Sequence, residues 1–203
     1  MSKKLIIVFE GIEGTGKSHH INKVANYLKK KNKRFIQIRE PGGSKNSEKI
    51  RKLILSNKST FNKYTDLLLY LSARSENIEL IKKNIGKKII LIDRFSDSTM
   101  AYQHYGMGID LKFIKYINDF LLKDIIIDFT FLNTVSQKNM KNRLMKRKKL
   151  NRYDKFDNNF YEKVQKGFLK ILKNNPEKYL KIDSNLSIQH NEEIIFNKIN
   201  DLI

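Results

Sequence analysis

Eight consecutive residues, Gly11-Ile12-Glu13-Gly14-Thr15-Gly16-Lys17-Ser18, fit the pattern G-x-x-x-x-G-K-[ST] that wraps the phosphates of a nucleotide. Glycine at 11, 14 and 16 opens backbone conformations closed to other residues, so successive N–H groups can turn inward onto a polyphosphate. Lys17 can bridge the β- and γ-phosphates, and the Ser18 hydroxyl can ligate the magnesium ion that travels with the nucleotide. A mere glycine-rich turn would lack the flanks found here. Leu5-Ile6-Ile7-Val8-Phe9 reads as a buried strand before the loop, and Ile21, Val24, Ala25 and Leu28 recur after it at the spacing of a helix face. Strand, loop and helix therefore stand in the order that aims both loop amides and the positive helix end at one anion.

The elements that position this loop follow from the remaining apolar runs. Phe35-Ile36-Gln37-Ile38, Ile89-Ile90-Leu91-Ile92, the run from 125 to 131 and the weaker Tyr179-Leu180-Lys181-Ile182 resemble buried parallel strands. Helical patterns lie between them: Ile50, Leu53 and Ile54; a long stretch over 64–83; Leu111, Ile114, Ile117 and Leu121; Phe160, Val164, Phe168 and Leu172; and a terminal face of Ile194, Ile195, Ile199 and Leu202. Alternating strands and helices predict an α/β, three-layer fold on a central five-stranded parallel sheet, with ligands beyond the carboxyl ends of the strands. Two of those ends carry Arg39-Glu40-Pro41-Gly42-Gly43 and Asp93-Arg94-Phe95. Arginines and an aspartate facing a phosphate loop make a site for two anionic partners.

A chain of 203 residues suits one domain spanning 1–203. No apolar run approaches the roughly 18 to 20 residues that span a bilayer, and Met1-Ser2-Lys3-Lys4 leads into the first strand without a cleavable signal pattern. A soluble, cytoplasmic protein is expected. The absence of cysteine excludes disulfides and thiolate metal sites. Adjacent His19 and His20 point about 100° apart on a helix and would not share a metal. A net charge of +20 is the signature of many nucleic-acid binders, but the lysines are spread along the chain and no DNA-reading motif accompanies them. Specific nucleic-acid binding is not expected, nor is membrane association. One concentrated basic run holds Lys141, Arg143, Lys146, Arg147, Lys148, Lys149 and Arg152.

Over nearly its full length the chain resembles thymidylate kinase. Besides the loop at 11–18, the resemblance rests on Arg39-Glu40-Pro41-Gly42-Gly43, on Tyr70 followed by Ser72-Ala73-Arg74, and on Asp93-Arg94-Phe95 continuing to Ser98-Thr99-Met100-Ala101-Tyr102-Gln103. It implies a P-loop kinase fold with a helical lid, here the segment 136–156, and transfer of the ATP γ-phosphoryl to dTMP with Mg2+ as cofactor. Gly11 to Ser18 would bind ATP, and Ser18 with Asp93 the metal. Arg39 and Arg94 would clamp the acceptor phosphate, with Arg51 a weaker candidate and Glu13 facing the acceptor side. Tyr70 would stack on thymine while Arg74 reaches a carbonyl oxygen; Ser98, Tyr102 and Gln103 would line sugar and base, with Tyr102 excluding a ribose hydroxyl. Because residue 14 is glycine, the resemblance assigns the catalytic arginine to the lid, and Arg147 and Arg152 are preferred over Arg143. With Lys17 and Arg94 they complete the catalytic set. A homodimer packed through helices is also implied. The nearest alternative is a kinase for another nucleoside monophosphate, and one of a different class is a nucleic-acid-binding P-loop protein.

Overall fold

The computed structural model describes residues 5–203; Met1-Ser2-Lys3-Lys4, read above as the lead into the first strand, lie outside the described residues. Five strands, β1 Ile6–Glu10, β2 Phe35–Arg39, β3 Ile89–Asp93, β4 Phe129–Thr134 and β5 Tyr179–Asp183, form one sheet in the order β2-β3-β1-β4-β5, every pair parallel. All five residues of β1 are buried because helices cover both faces of a parallel sheet. The fold class read from the apolar runs therefore holds.

The helices are α1 Lys17–Lys30, α2 Lys45–Leu55, α3 Lys63–Asn84, α4 Ser96–Thr99, α5 Leu111–Leu122, α6 Gln137–Met145, α7 Asn158–Asn174 and α8 Ile188–Leu202. One core layer joins β1, β3 and β4 to α1 and α8 through Phe9, Phe131, Leu28 and Ile199; another sets α7 against the far side. Ser44, Asn62, Asp110, Ser136, Asp157 and Ser187 each accept a backbone N–H at the start of α2, α3, α5, α6, α7 and α8. Helix α1 alone among the described helices of eight residues or more starts without such a side chain, at Gly16 with φ 81°. Its first N–H groups are left to an external acceptor.

Two elements differ from the sequence reading. The fourth strand lies at Phe129–Thr134, shifted from the apolar run 125–131, because its last two residues, Asn133 and Thr134, are polar and escape an apolar pattern. Ile125 still packs in the core. After α4 the chain makes a wide π-helical turn over Met100–Gly106, which no apolar spacing signals. Helix α7 packs tightly on it: a Cβ on Gly167 would meet Tyr105 Cδ2 at 2.4 Å. No helix of the described residues is long and apolar enough to cross a membrane.

Candidate functional site

The phosphate loop fills the turn from β1 to α1, beside β3 and β4. Gly11 sits at φ 132°, and a Cβ there would lie 2.1 Å from the Asn133 carbonyl oxygen on β4, so only glycine permits the approach. Ile12 is a core residue whose carbonyl accepts the Thr15 hydroxyl at 2.8 Å and the Lys17 ammonium at 2.7 Å. Burial first, and then the nearby Arg94, push Lys17 down to about 7 despite Asp93, Glu13 and Glu10. A buried amine beside a guanidinium is thus prepared to gain a proton from the approach of phosphate charge.

Ser18 donates to Asp93 Oδ2 at 2.9 Å, since parallel pairing of Phe9 with Asp93 ends β3 level with the start of the loop. A hydroxyl and a carboxylate oxygen side by side at a phosphate loop suit magnesium, which takes one or two protein oxygens and completes its shell with phosphate and water. Among the described residues no group of three or more His, Cys, Asp or Glu gathers as a closed metal site.

Beyond the loop an open cleft is walled by Glu13, Lys17, Ser18, Arg39, Arg51, Asp93, Arg94, Arg147 and Tyr153 among others. Arg94, at φ 67°, gives Nη1 to the Gly11 carbonyl at 2.7 Å and Nη2 to Glu13 Oε1 at 2.9 Å. Burial works against its charge, but Tyr102, Glu13, Asp93 and Glu10 raise it well above its ordinary value. Burial likewise opposes the Glu13 carboxylate, and Arg94, Lys17 and the Tyr102 hydroxyl overcome it, holding that group below the usual range. Arg39 is half exposed and doubly bonded to Glu48, through Nε at 3.1 Å and Nη2 at 2.9 Å. Arg51 donates to the Pro41 carbonyl at 2.5 Å.

Opening from the same cleft, a narrow inner cavity is lined by Glu13, Glu40, Tyr70, Arg74, Arg94, Phe95, Ser98, Thr99, Tyr102, Gln103 and Tyr153. The structure thus brings Glu13, Tyr70, Arg74, Arg94, Ser98, Tyr102 and Gln103 together and leaves Arg39 in the outer cleft. Spacing on α3 puts Tyr70 and Arg74 on one face. Arg74 is buried, with Nε on Glu40 at 2.8 Å and Nη1 on Asn118 at 2.7 Å. The Gln103 amide nitrogen and the Thr99 hydroxyl are buried with no hydrogen-bond partner among the described residues. Ser98 instead gives its hydroxyl to Glu10 at 2.5 Å, which anchors the turn after Arg94.

The basic run divides its three arginines. Helix α6 ends at Met145, so the segment 136–156 is α-helical only in its first half, with a single 3-10 turn at Tyr153–Lys155 near its end. Arg143 clasps the Gly14 carbonyl at 2.8 Å and the Ser184 carbonyl at 2.6 Å, tying the run to the phosphate loop. Arg147 reaches the outer cleft and pairs with Asp154 at 2.6 Å. Arg152 does not come to the cleft: it is spent on Asp66 of α3 and on the Ile54 carbonyl, 3.1 Å away. The sequence offered no sign of this, because the partner stands 86 positions away.

A third cavity borders Gly16 and is walled by His19, His20, Arg143, Ser184, Leu186, Ile188 and Asn191. His20 is buried there, and burial followed by the neighbouring His19 pushes it down to about 4, so its ring is neutral. The turn at 183–185 faces the loop, with the Ser184 hydroxyl on the Thr15 carbonyl at 2.7 Å. Sequence reasoning missed Glu40 and Tyr153; Glu40 stood inside a quoted motif, whereas Tyr153 carried no signal at all.

Comparison with known proteins gives one consistent outcome. The family profile described as thymidylate kinase matches residues 9–195. A thymidylate kinase of Thermosipho africanus is 40% identical over 171 residues, 83% of this chain and 85% of its own length. One of a Sulfurihydrogenibium species is 37% identical over 196 residues, 95% of each chain. The crystal structure of thymidylate kinase from Ehrlichia chaffeensis superposes with a TM-score of 0.78 at 30% identity, covering 97% of this chain and 98% of that one.

Proposed function

The chain belongs to the thymidylate kinase family and transfers the γ-phosphoryl of ATP to dTMP; we propose that the donor phosphates lie on the 11–18 loop and the acceptor nucleotide in the inner cavity, meeting across Glu13 and Arg94. Transfer between two phosphates asks for little covalent work, because the attacking oxygen of the acceptor is already anionic. A bond forms from that oxygen to the γ-phosphorus as the bond to the β,γ-bridging oxygen breaks, leaving ADP and dTDP. Alignment and charge stabilisation supply the rate.

Loop amides, the open start of α1 and Lys17 hold the β- and γ-phosphates. Arg94, Arg39 and Arg51 receive the acceptor phosphate. Arg147 is the cation of the basic segment that reaches the transferring group, a role worth about 10³ to 10⁵ in rate for arginines so placed. Ser18 and Asp93 would hold Mg2+, which when bound neutralises charge on the donor phosphates. Tyr70 stacks on thymine, Arg74 and the Gln103 amide meet its polar edge, and Tyr102 closes the space beside the sugar 2′ carbon. The adenine lies in the third cavity, between Arg143 and the apolar Leu186 and Ile188. Leu68, Phe113, Tyr116 and Phe120 on the packed pair α3 and α5 are exposed, which supports pairing of two copies through these helices.

The observation that carries this reading is the convergence of Tyr70, Arg74, Tyr102 and unpartnered Gln103 in one cavity that opens onto the phosphate cleft. ADP formation with ATP and magnesium across dTMP, dUMP, dGMP, dCMP, AMP and UMP tests it. Strong preference for dTMP is expected; preference for another monophosphate overturns the base-pocket assignment. Arg147→Ala is expected to lower kcat by at least about 10³, and an unchanged kcat removes Arg147 from the reacting set.

A further inference from the structure

Asp66 lies in the first turn of α3, buried, and touches neither the phosphate loop nor the inner cavity. Both its carboxylate oxygens are used by the far end of the basic segment: Oδ1 takes Arg152 Nη2, and Oδ2 takes the Tyr153 hydroxyl at 2.9 Å. Burial, with Tyr70 and Asp66 beside it, raises the Tyr153 hydroxyl well above its ordinary value, so it is a donor. Further contacts join the same region. The Asn57 amide donates to the Leu150 carbonyl at 3.0 Å, and Arg152 lies over the rings of Phe61 and Tyr153.

The segment thus has two moorings. At its start Arg143 grips Gly14 and Ser184; at its end Asp66 grips Arg152 and Tyr153. Between them Lys146 to Leu150 are exposed, and Arg147 alone of the run lines the cleft. Arg147 is aimed by Asp154, whose other oxygen takes the Asn151 backbone and side-chain nitrogens at 3.0 and 2.6 Å. Asp154 directly follows the residue that Asp66 holds. Tyr153 in turn lines both the outer cleft and the inner cavity, with its ring edge-on to Tyr70 at 5.9 Å and to Tyr102 at 6.0 Å.

We propose that Asp66 is a positioning residue for phosphoryl transfer: by clasping Arg152 and Tyr153 it fastens the basic segment across the cleft, presents Arg147 to the transferring phosphoryl and sets the wall shared by the two nucleotide sites. The Arg147 part rests on the reading given under Proposed function; the fastening itself does not. A carboxylate suits the task because it takes a guanidinium and a hydroxyl at once, and burial excludes competing water.

The test combines tryptic cleavage with a double-mutant cycle on the full chain. Exposed Lys146, Lys148 and Lys149 are trypsin sites, so cleavage mapped there by mass spectrometry reports whether the segment is fastened, independently of activity. Asp66→Ala is expected to speed cleavage within 146–149 at least about ten-fold while sites in α3 and α7 stay protected, and to lower kcat about ten-fold or more. Asp66→Asn, which keeps an acceptor for Tyr153 and loses the charge, is expected to fall between, and it carries the test if the alanine variant does not fold. In the Arg147→Ala background Asp66→Ala should cost little further kcat, because the two act through one contact. Unchanged cleavage at 146–149, or accelerated cleavage with unchanged kcat, overturns the proposal. Accelerated cleavage and lost kcat for Asp66→Ala, together with a wild-type kcat for Arg147→Ala, would refute the role of Arg147 and leave Asp66 positioning the segment through Tyr153.

Discussion

Replacing Glu40 by alanine strikes the charge balance beneath the inner cavity. Arg74 and Glu40 side chains are 2% and 5% exposed and meet at 2.8 Å, and Asn77 adds a hydrogen bond to Glu40 at 3.3 Å. Burial outweighs the pull of Arg74 and pushes the Glu40 carboxyl above its ordinary value, so the pair contributes little net stability as a pair. Removing one member is another matter, since it leaves a buried guanidinium without the carboxylate bonded to it, at a cost of about 3–5 kcal/mol. Against a urea slope of roughly 2–3 kcal/mol/M, the unfolding midpoint should fall by about 1–2.5 M. Arg74 also loses the bond that orients it, so the KM for dTMP should rise about ten-fold, the 1.4 kcal/mol of a weakened charge-assisted bond, with little change in the KM for ATP. Urea titration followed by far-ultraviolet circular dichroism, and initial rates with each nucleotide varied in turn, measure both effects. Changing Glu40 to Gln and Arg74 to Met together should cost less stability than Glu40→Ala while still destroying dTMP recognition. A midpoint for Glu40→Ala within a few tenths of a molar of the parent, with an unchanged KM for dTMP, would refute this account of how Arg74 is held.

Lys17, pushed down to about 7, should be raised again by the charge of a bound polyphosphate, so nucleotide binding at pH 8 should take up about one proton. Calorimetry in buffers of different ionisation enthalpy measures the uptake, and a binding heat independent of the buffer would contradict it. Glu10 is pushed up to about 7 by burial and by Asp97, while holding the backbone of Phe95 and Ser98. Because the folded chain binds this proton more tightly than the unfolded one, stability is full below pH 4.5 and falls as pH rises through 7, by about 3 kcal/mol. Glu10→Gln should flatten the difference between urea midpoints taken at about pH 5 and pH 7; a slope equal to the parent's excludes Glu10 as its source. Gly11→Ala would set a methyl 2.1 Å from the Asn133 carbonyl at the β1–β4 pair and should lower the Tm by more than about 5 °C or prevent folding. Gly108→Ala, with nothing within 4 Å of its Cβ, should cost only about 1–2 kcal/mol for its left-handed backbone, and equal losses at the two sites would refute the steric argument.

What the sequence disclosed is what local spacing can carry. The phosphate loop was legible because its strand, glycines and helix are contiguous, and the arginines at 39 and 94 because a parallel sheet places its strand ends on one rim. Tyr70 and Arg74 came from the resemblance, and one helical turn puts both on a single face. The boundaries of β4 were misplaced because its last residues, including buried Asn133, trade apolarity for contact with the loop. The π-helical turn at 100–106 was invisible, since a single wide turn leaves no period to count. Arg152 was assigned to the lid through the resemblance, yet its guanidinium seats on buried Asp66, which belongs to another helix. Long-range pairings of this kind are set by tertiary packing alone.

Three arginines facing the cleft are already seated on carboxylates, Arg39 on Glu48, Arg94 on Glu13 and Arg147 on Asp154, which makes nucleotide binding there an exchange of anions, whereas Arg51 holds the Pro41 carbonyl. An incoming phosphate must outcompete a carboxylate already seated on the guanidinium. Against that internal competitor a singly charged oxyanion gains little, whereas a dianionic phosphate brings a second charge and a third oxygen. Discrimination among ligands is then set by how much more each offers than the acid it displaces. The resident acids also keep the guanidiniums stretched toward the cleft, so an arriving substrate finds its cations already ordered.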